Sequence, residues 1–258
     1  MEKQRRNFIK RTLAITLGMA VCDSLSGFNL KGNLLKDEKG KIATKKLIVK
    51  EIIHSGAIDL DMAENLLEKN AEFQLIGVLN WSSFTYKPEV KFKIAWCQNQ
   101  ILLKYYVSEA NILAKVVKIN GDVCTDSCVE FFISTHKDGS FYNFEFNCIG
   151  IPHVEYGQVG KRALLDSEII NQIKTKSSLG NQPFGEKKGG YQWEMMIVIP
   201  KSCFVFDKDL VFKGLSAKAN FYKCGDKTST PHYLTWNPVL TEHPDYHQPA
   251  FFGDISFQ

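Results

Sequence analysis

Between positions 142 and 148 polar and bulky side chains alternate. Tyr142, Phe144, Phe146 and Cys148 share one parity, and Asn143, Glu145 and Asn147 share the other. On an extended strand the two sets point to opposite faces. If the aromatic set faces a core, a carboxylate flanked by two carboxamides stands on the other side. The segment Cys128 to Ser134 divides the same way, with Val129, Phe131 and Ile133 opposite Glu130. Each Glu or Asn offers two hydrogen-bonding atoms, so such a face can hold adjacent sugar hydroxyls in bidentate fashion. A solvated face with cross-strand polar pairs has the same pattern.

Other residue types carry weaker suggestions. Glu130 and Glu145 could serve glycoside hydrolysis, which needs two carboxylates at a set separation and one with a raised pKa. Nothing around them in sequence supplies that environment. The stretch His243-Pro244-Asp245-Tyr246-His247 places two His close together, but its proline and the missing helical context make it a surface loop, not a zinc-protease helix. Phosphate-binding glycine loops and the Gly-x-Ser-x-Gly elbow are absent from the sequence. The last third is rich in rings: Phe221, Tyr222, Tyr233, Trp236, Tyr246, Phe251 and Phe252. Most belong in a core; any exposed in the Asn237-Pro238 and His243-Pro244 loops could stack on a pyranose.

The elements that must position these residues are mainly strands. Period two runs through Val90–Trp96, Ile101–Val107, Cys128–Ser134, Tyr142–Cys148, Gln192–Ile199, Ala217–Cys224 and Phe252–Phe257. Gly, Asn, Asp and Pro turns separate them, which predicts an all-β, antiparallel β-sandwich with one or two short helices. Asp61-Met62-Ala63-Glu64 reads as a capping box opening one helix. Residues 162–180 fit a second short one.

The first 26 residues read as an export signal, with Lys3, Arg5, Arg6, Lys10 and Arg11 before the apolar run Thr12–Val21. Arg5-Arg6-Asn7-Phe8-Ile9-Lys10 suits a twin-arginine signal, with an ordinary secretory signal as the alternative. Cys22 raises lipidation, although Val21 is bulky for such a site. Residues 27–45 read as a polar linker and 46–258 as one folded domain. The apolar run is too short to span a bilayer comfortably, so no transmembrane span is expected in a mature protein that is periplasmic or at the cell surface. Of the net charge of +4, residues 1–26 hold +3, and the rest has 27 Lys/Arg against 26 Asp/Glu. That balance gives no basis for a nucleic-acid partner. Six cysteines follow Cys22 without zinc spacing, and mostly free, buried thiols are expected.

An ordered series of segments completes the reading. Asp126–Ile133, Tyr142–Asn147, Asn220–Asp226, Pro231–Pro238 and Phe252-Gly253 resemble the family 9-like carbohydrate-binding modules, within the DOMON-like β-sandwich group. The resemblance covers roughly residues 46–258 and implies a jelly-roll-like sandwich that binds an oligo- or polysaccharide without catalysis. In sugar-binding members two rings clamp a terminal sugar and sheet side chains hold its hydroxyls. Carried onto this chain, one ring falls on Tyr246 and the other at Cys124, which is not aromatic, so Trp236 or Tyr156 would have to substitute. The polar positions fall on Glu130, Glu145, Asn220 and His243, with Asn147 beside them. Sugar-binding members carry an Arg at the place of Glu145. No cofactor is implied beyond the structural calcium some members hold, for which the sequence names no ligands. The wider group also includes haem-binding cytochromes, which need an axial Met and His; Met62, Met195 and Met196 are the methionines left after the signal. The remaining alternative is a structural or protein-interaction module of a surface polysaccharide system. Its place between Pro244 and Pro249, in a loop just before the terminal strand Phe252–Phe257, predicts that the Tyr246 ring is exposed beside Glu130, Glu145 and Asn220.

Overall fold

The structure, a computed structural model, describes residues 43–258. The export signal and the linker up to residue 42 lie outside the described residues. The elements are β1 (Lys46–Val49), α1 (Leu60–Asn70), β2 (Gln74–Leu75), β3 (Val78–Leu79), β4 (Glu89–Cys97), β5 (Gln100–Ala114), β6 (Cys128–Ser134) and β7 (Phe141–Asn147). They continue with β8 (Pro152–Gln158), β9 (Lys161–Leu164), α2 (Ser167–Ile170), β10 (Lys174–Ser177), β11 (Phe184–Pro200), β12 (Ser216–Cys224), β13 (Tyr233–Thr235) and β14 (Gly253–Phe257).

Two sheets result. The first runs β1-β14-β12-β6-β7-β8-β9, with β13 paired to β12 and β3 to β13; the second runs β10-β11-β5-β4-β2. Pairing is antiparallel apart from β1 with β14, which lie parallel at the first sheet's edge. The period-two segments recur as β4, β5, β6, β7, β11, β12 and β14, because alternation lets each strand bury one face.

The inner faces of the two sheets meet in one core. Phe92 of β4 stacks on Phe221 of β12 with centroids 3.9 Å apart, and Phe221 continues to Phe131 of β6 at 5.0 Å. Met195 and Ile197 of β11 belong to the same core. Burial of this apolar area is the dominant favourable contribution to a sandwich fold. Polar ties also cross between the sheets: the Tyr105 hydroxyl of β5 donates to the Glu130 carbonyl of β6 at 2.7 Å, and Lys223 of β12 lies 2.8 Å from Glu109 of β5.

Helix α1 covers the outer face of the second sheet, with Ala63 and Leu67 against Ala95, Leu102, Met196 and Val198. It begins earlier than the capping-box reading expects. Asp59 is the N-cap and its carboxylate accepts from the Met62 amide at 2.8 Å. Asp61 and Glu64 lie inside the helix and instead bind Lys176 at 2.6 and 3.0 Å.

The outer face of the first sheet corrects a second expectation. Asn143, Glu145 and Asn147 do lie opposite the core-facing aromatics, yet none reaches open solvent. A second apolar cluster covers them, with Trp81, Val123, Tyr246 and Phe252 packing onto Phe132, Phe141 and Tyr222. The covering residues come from loops, so the alternation within the strands carries no trace of them.

Candidate functional site

Strands β6, β7 and β12 bring polar residues of their outer faces to one place. Glu130 and Glu145 are direct cross-strand partners, and Tyr222 pairs with Glu130 on the other side. Above them lies the segment after β13. Asn237 Nδ2 donates to the Phe251 carbonyl at 2.7 Å, closing the segment into a loop. Asn80 Oδ1 accepts from the Val239 amide and Trp81 Nε1 donates to the Thr241 carbonyl, each at 2.9 Å. Asp245 accepts from the His247 amide and the Gln248 side chain, at 2.9 and 2.6 Å, which makes the turn that aims His247 downward.

Loop and sheet enclose a cavity of about 150 Å³. Its floor is Glu130, Glu145, Cys224 and the Tyr246 ring, all buried. Its half-buried rim is Cys124, Asp226, Tyr233, Pro244, Asp245 and His247. Wider hollows exist, such as one of about 590 Å³ between Gln98 and Lys208, but that one is lined by surface turns and holds no carboxylate pair.

Two buried carboxylates side by side cannot both ionise cheaply. Burial, and then the Glu145 charge, push Glu130 well above the usual carboxylate range. Burial also pushes Glu145 up, but His247 and His153 beside it and the Asn143 amide outweigh that and hold it below its ordinary value. Asn143 Nδ2 donates to Glu145 Oε1 at 2.8 Å, and His247 Nε2 lies 3.8 Å from the same oxygen. Of the pair, Glu130 is therefore the one that holds a proton more readily and can donate, and Glu145 the one that ionises more readily and accepts. Burial raises Asp226 to about 6, and its Oδ1 is buried without a hydrogen-bond partner. Burial likewise pushes the Cys128 thiol up to about 12, and those of Cys124 and Cys224 upward also.

The sequence candidates distribute unevenly over this site. Glu130, Glu145 and Tyr246 line the cavity, as does Cys124 at the position of the missing ring. Tyr246 is not the exposed ring that was expected: it is 7% exposed. Its hydroxyl donates to the carbonyls of Lys223 and Leu234 at 3.0 and 3.3 Å, so it is anchored at its polar end as well. Asn147 is fully engaged elsewhere, donating to the Val116 carbonyl and to Asp126 while accepting from Ile151. Asn220 binds the Asn237 main chain in both directions, at 3.0 and 2.8 Å, and so latches the loop without lining the cavity. Trp236 lies in the main core, edge-on to Phe221 at 5.7 Å, and Tyr156 stacks on Phe206 at 4.3 Å. Neither ring lines the cavity to replace the one absent at Cys124. His243 is exposed and outside the lining.

Asp226, Tyr233, Asp245, His247 and Cys224 were missed as lining residues. Asp226, Tyr233 and Cys224 fall within segments whose resemblance was noted, and Asp245 and His247 lie in the His243–His247 stretch. A loop has no period, so nothing in that stretch says which of its side chains turns inward.

Comparison with known proteins fits this geometry. The model of a family described as carbohydrate-binding family 9 matches residues 61–257. A crystal structure of a candidate carbohydrate-binding protein from Bacteroides uniformis is 42% identical, covers 84% of this chain and 100% of its own, and superposes with a TM-score of 0.81. A family 9 module from Caldicellulosiruptor kristjanssonii in complex with glucose is 15% identical over 83% of this chain and 96% of its own, with a TM-score of 0.52. Its complex with cellotriose gives 16% identity, 83% and 94% coverage, and the same TM-score. No curated protein matches the chain.

Proposed function

The chain belongs to carbohydrate-binding family 9, and on that premise we propose that it binds the end of a saccharide chain, without cleaving it, in the cavity over Glu130 and Glu145. The observation that carries this reading is the side-by-side placement of two carboxyl groups on the cavity floor, Glu130 pushed above the usual carboxylate range and Glu145 held below it. A sugar hydroxyl both donates and accepts, so a neighbouring donor and acceptor can hold one hydroxyl or two adjacent ones. The cavity lies below the ~300 Å³ at which pockets for drug-sized ligands begin, which favours one terminal unit over an interior stretch of chain. The glucose and cellotriose complexes of the Caldicellulosiruptor module support a saccharide ligand.

The split between the two carboxyl groups also suits an acid–base pair, but their placement opposes glycoside hydrolysis. Hydrolysis needs carboxyl groups flanking the scissile bond. Glu130 and Glu145 are direct cross-strand neighbours on one face, so both meet a ligand from the same side.

We infer further that the protein is exported, by the twin-arginine signal at Arg5-Arg6, and acts in the periplasm or at the cell surface. Among the described residues no helix is long and apolar enough to cross a membrane.

Titration of the purified protein with glucose and cellotriose by calorimetry, together with a glycan array, tests the binding reading. Saturable binding without release of new reducing ends is expected. A folded protein that binds no glycan on the array overturns it and leaves an interaction module as the better account.

A further inference from the structure

Below the cavity floor three donor atoms converge. Cys128 of β6 and Cys224 of β12 are direct cross-strand partners. Glu130 follows Cys128 by two residues and so shares its face. The two Sγ atoms and a carboxylate oxygen of Glu130 all lie within 4.8 Å of one another. The Cys224 thiol points at Glu130 Oε1 from 3.1 Å. Each residue is at most 2% exposed.

This arrangement is poorly satisfied by the protein alone. Thiols are weak donors, and the side chains that hydrogen-bond the Glu130 carboxyl group are the thiols of Cys224 and Cys128. A buried carboxyl group without strong partners is costly. Glu145 and Asp226 add acidic groups close by, and Asp226 Oδ1 is itself buried without a partner. Lys223, although next to Cys224, turns to the other face, where its ammonium lies 2.8 Å from Glu109. The cluster therefore gathers sulfur and carboxyl groups around one point, and among the described residues the nearest ammonium, that of Lys223, is turned to Glu109.

We propose that Cys128, Cys224 and Glu130 form a binding site for a thiophilic divalent cation, for which zinc is the best chemical match. Two thiolates and one carboxylate are zinc donors, whereas calcium and magnesium prefer oxygen alone. Tetrahedral zinc with Zn–S bonds of about 2.3 Å sets its sulfurs about 3.8 Å apart, so the donors need move little. Three protein donors leave the fourth position toward the cavity, for water or a ligand oxygen. Binding releases the two thiol protons and that of Glu130 to solvent, leaving three anionic donors around a dication. The inference shares Glu130 with the saccharide reading, but its test uses no sugar, so either can fail without the other.

The test is anaerobic titration of the reduced full chain with Co²⁺, followed by Zn²⁺ or Ca²⁺. One equivalent of Co²⁺ should produce a sulfur-to-cobalt charge-transfer band with tetrahedral ligand-field bands. Zn²⁺ should bleach them and Ca²⁺ should not. Cys128→Ser and Cys224→Ser should abolish the band, Glu130→Gln should weaken Co²⁺ at least about tenfold, and Cys97→Ser, in the cluster under α1, should leave it intact. If either cysteine variant misfolds, alkylation mapping of the wild type decides instead: Zn²⁺ should protect Cys128 and Cys224 from reagent and spare no other thiol. The proposal is overturned by absence of the band, by its survival in the folded Cys128→Ser or Cys224→Ser variant, or by labelling that Zn²⁺ does not change. A Cys128–Cys224 disulfide that takes up no metal after reduction overturns it as well.

Discussion

The ring of Tyr246 lies flat on that of Tyr222, with centroids 4.1 Å apart and planes inclined by only 11°. The contact is reciprocal, because the Tyr222 hydroxyl donates to the Tyr246 carbonyl at 3.1 Å. Tyr246 therefore joins the loop to the sheet as well as lining the cavity. Tyr246→Ala should cost about 3–5 kcal/mol of folding stability, the range for deleting a large buried ring. Tyr246→Phe removes only the hydroxyl's bonds and should cost about 1 kcal/mol. Denaturant unfolding of both variants measures this. A loss below ~0.5 kcal/mol for the alanine variant, as for an ordinary surface change, would show that the ring is not packed as described.

The two carboxyl groups should respond differently to amide replacement. Glu130 is the partner that holds its proton more readily, so Glu130→Gln should leave stability within about 0.5 kcal/mol. Glu145→Gln removes the ionised acceptor, and a hydrogen bond to a charged group is worth about 1.5–3 kcal/mol. Glucose or cellotriose affinity should then fall by about 10- to 100-fold at 1.4 kcal/mol per decade. Calorimetry on the two variants checks the contrast. Unchanged affinity in both would move the ligand site away from this cavity.

A buried polar cluster on the core side of β12 predicts a pH dependence. Lys223 Nζ lies 2.8 Å from Glu109 Oε2 and 2.7 Å from His232 Nε2. An ammonium only donates, so Nε2 accepts and Nδ1–H donates to the Thr230 carbonyl at 2.9 Å. Burial, and then the Lys223 charge, lower His232 from 6.5 to about 3. Between those values the unfolded chain binds the proton and the folded chain does not, so stability falls as pH is lowered through that window. Urea midpoints measured from pH 7 down to pH 4 should show the fall, and a His232→Gln variant should show a shallower one. Equal slopes in the two proteins would exclude His232 as the source.

Close packing around Trp236 gives a third stability test. A Cβ on Gly253 would lie 2.3 Å from Trp236 Cζ3 and 2.8 Å from its Cη2, with the Lys45 carbonyl at 3.0 Å. Neither the indole nor the main chain there can yield cheaply. Gly253→Ala should cost about 1–3 kcal/mol through overpacking, read as a drop in melting temperature. An unchanged melting temperature would mean that the indole is free to move, contrary to its place in the core.

Export rests on the amino-terminal residues, which lie outside the described ones. Replacing both Arg5 and Arg6 with Lys should hold the precursor in the cytoplasm if the twin-arginine route is used. Fractionation of cells expressing the double variant decides it, and normal export would return the signal to the ordinary secretory class.

Alternation by itself determined β4, β5, β6, β7, β11, β12 and β14, because burying one face and turning the other away imposes period two on the residues, whereas the short strands β1, β2, β3, β9, β10 and β13, and β8, went unread. It also assigned Phe131 and Phe144 to the core side and Glu130 and Glu145 to the opposite side. What lies over that opposite side was decided by tertiary structure. Trp81, Val123, Tyr246 and Phe252 come from positions up to 171 residues apart in the chain, and packing between such distant loops leaves no periodic trace in any one segment. The sequence could therefore present Asn147, Asn220 and Trp236 as ligand residues although their hydrogen bonds and packing are spent on the scaffold. The loop from Asn237 to Phe251 shows the same limit at closer range. His243 and His247 are the same residue type four positions apart, yet the turn made by Asp245 directs one into the cavity and leaves the other in solvent. The convergence of Cys128 and Cys224, 96 residues apart in the chain, depends on the register between β6 and β12, which only the folded sheet sets.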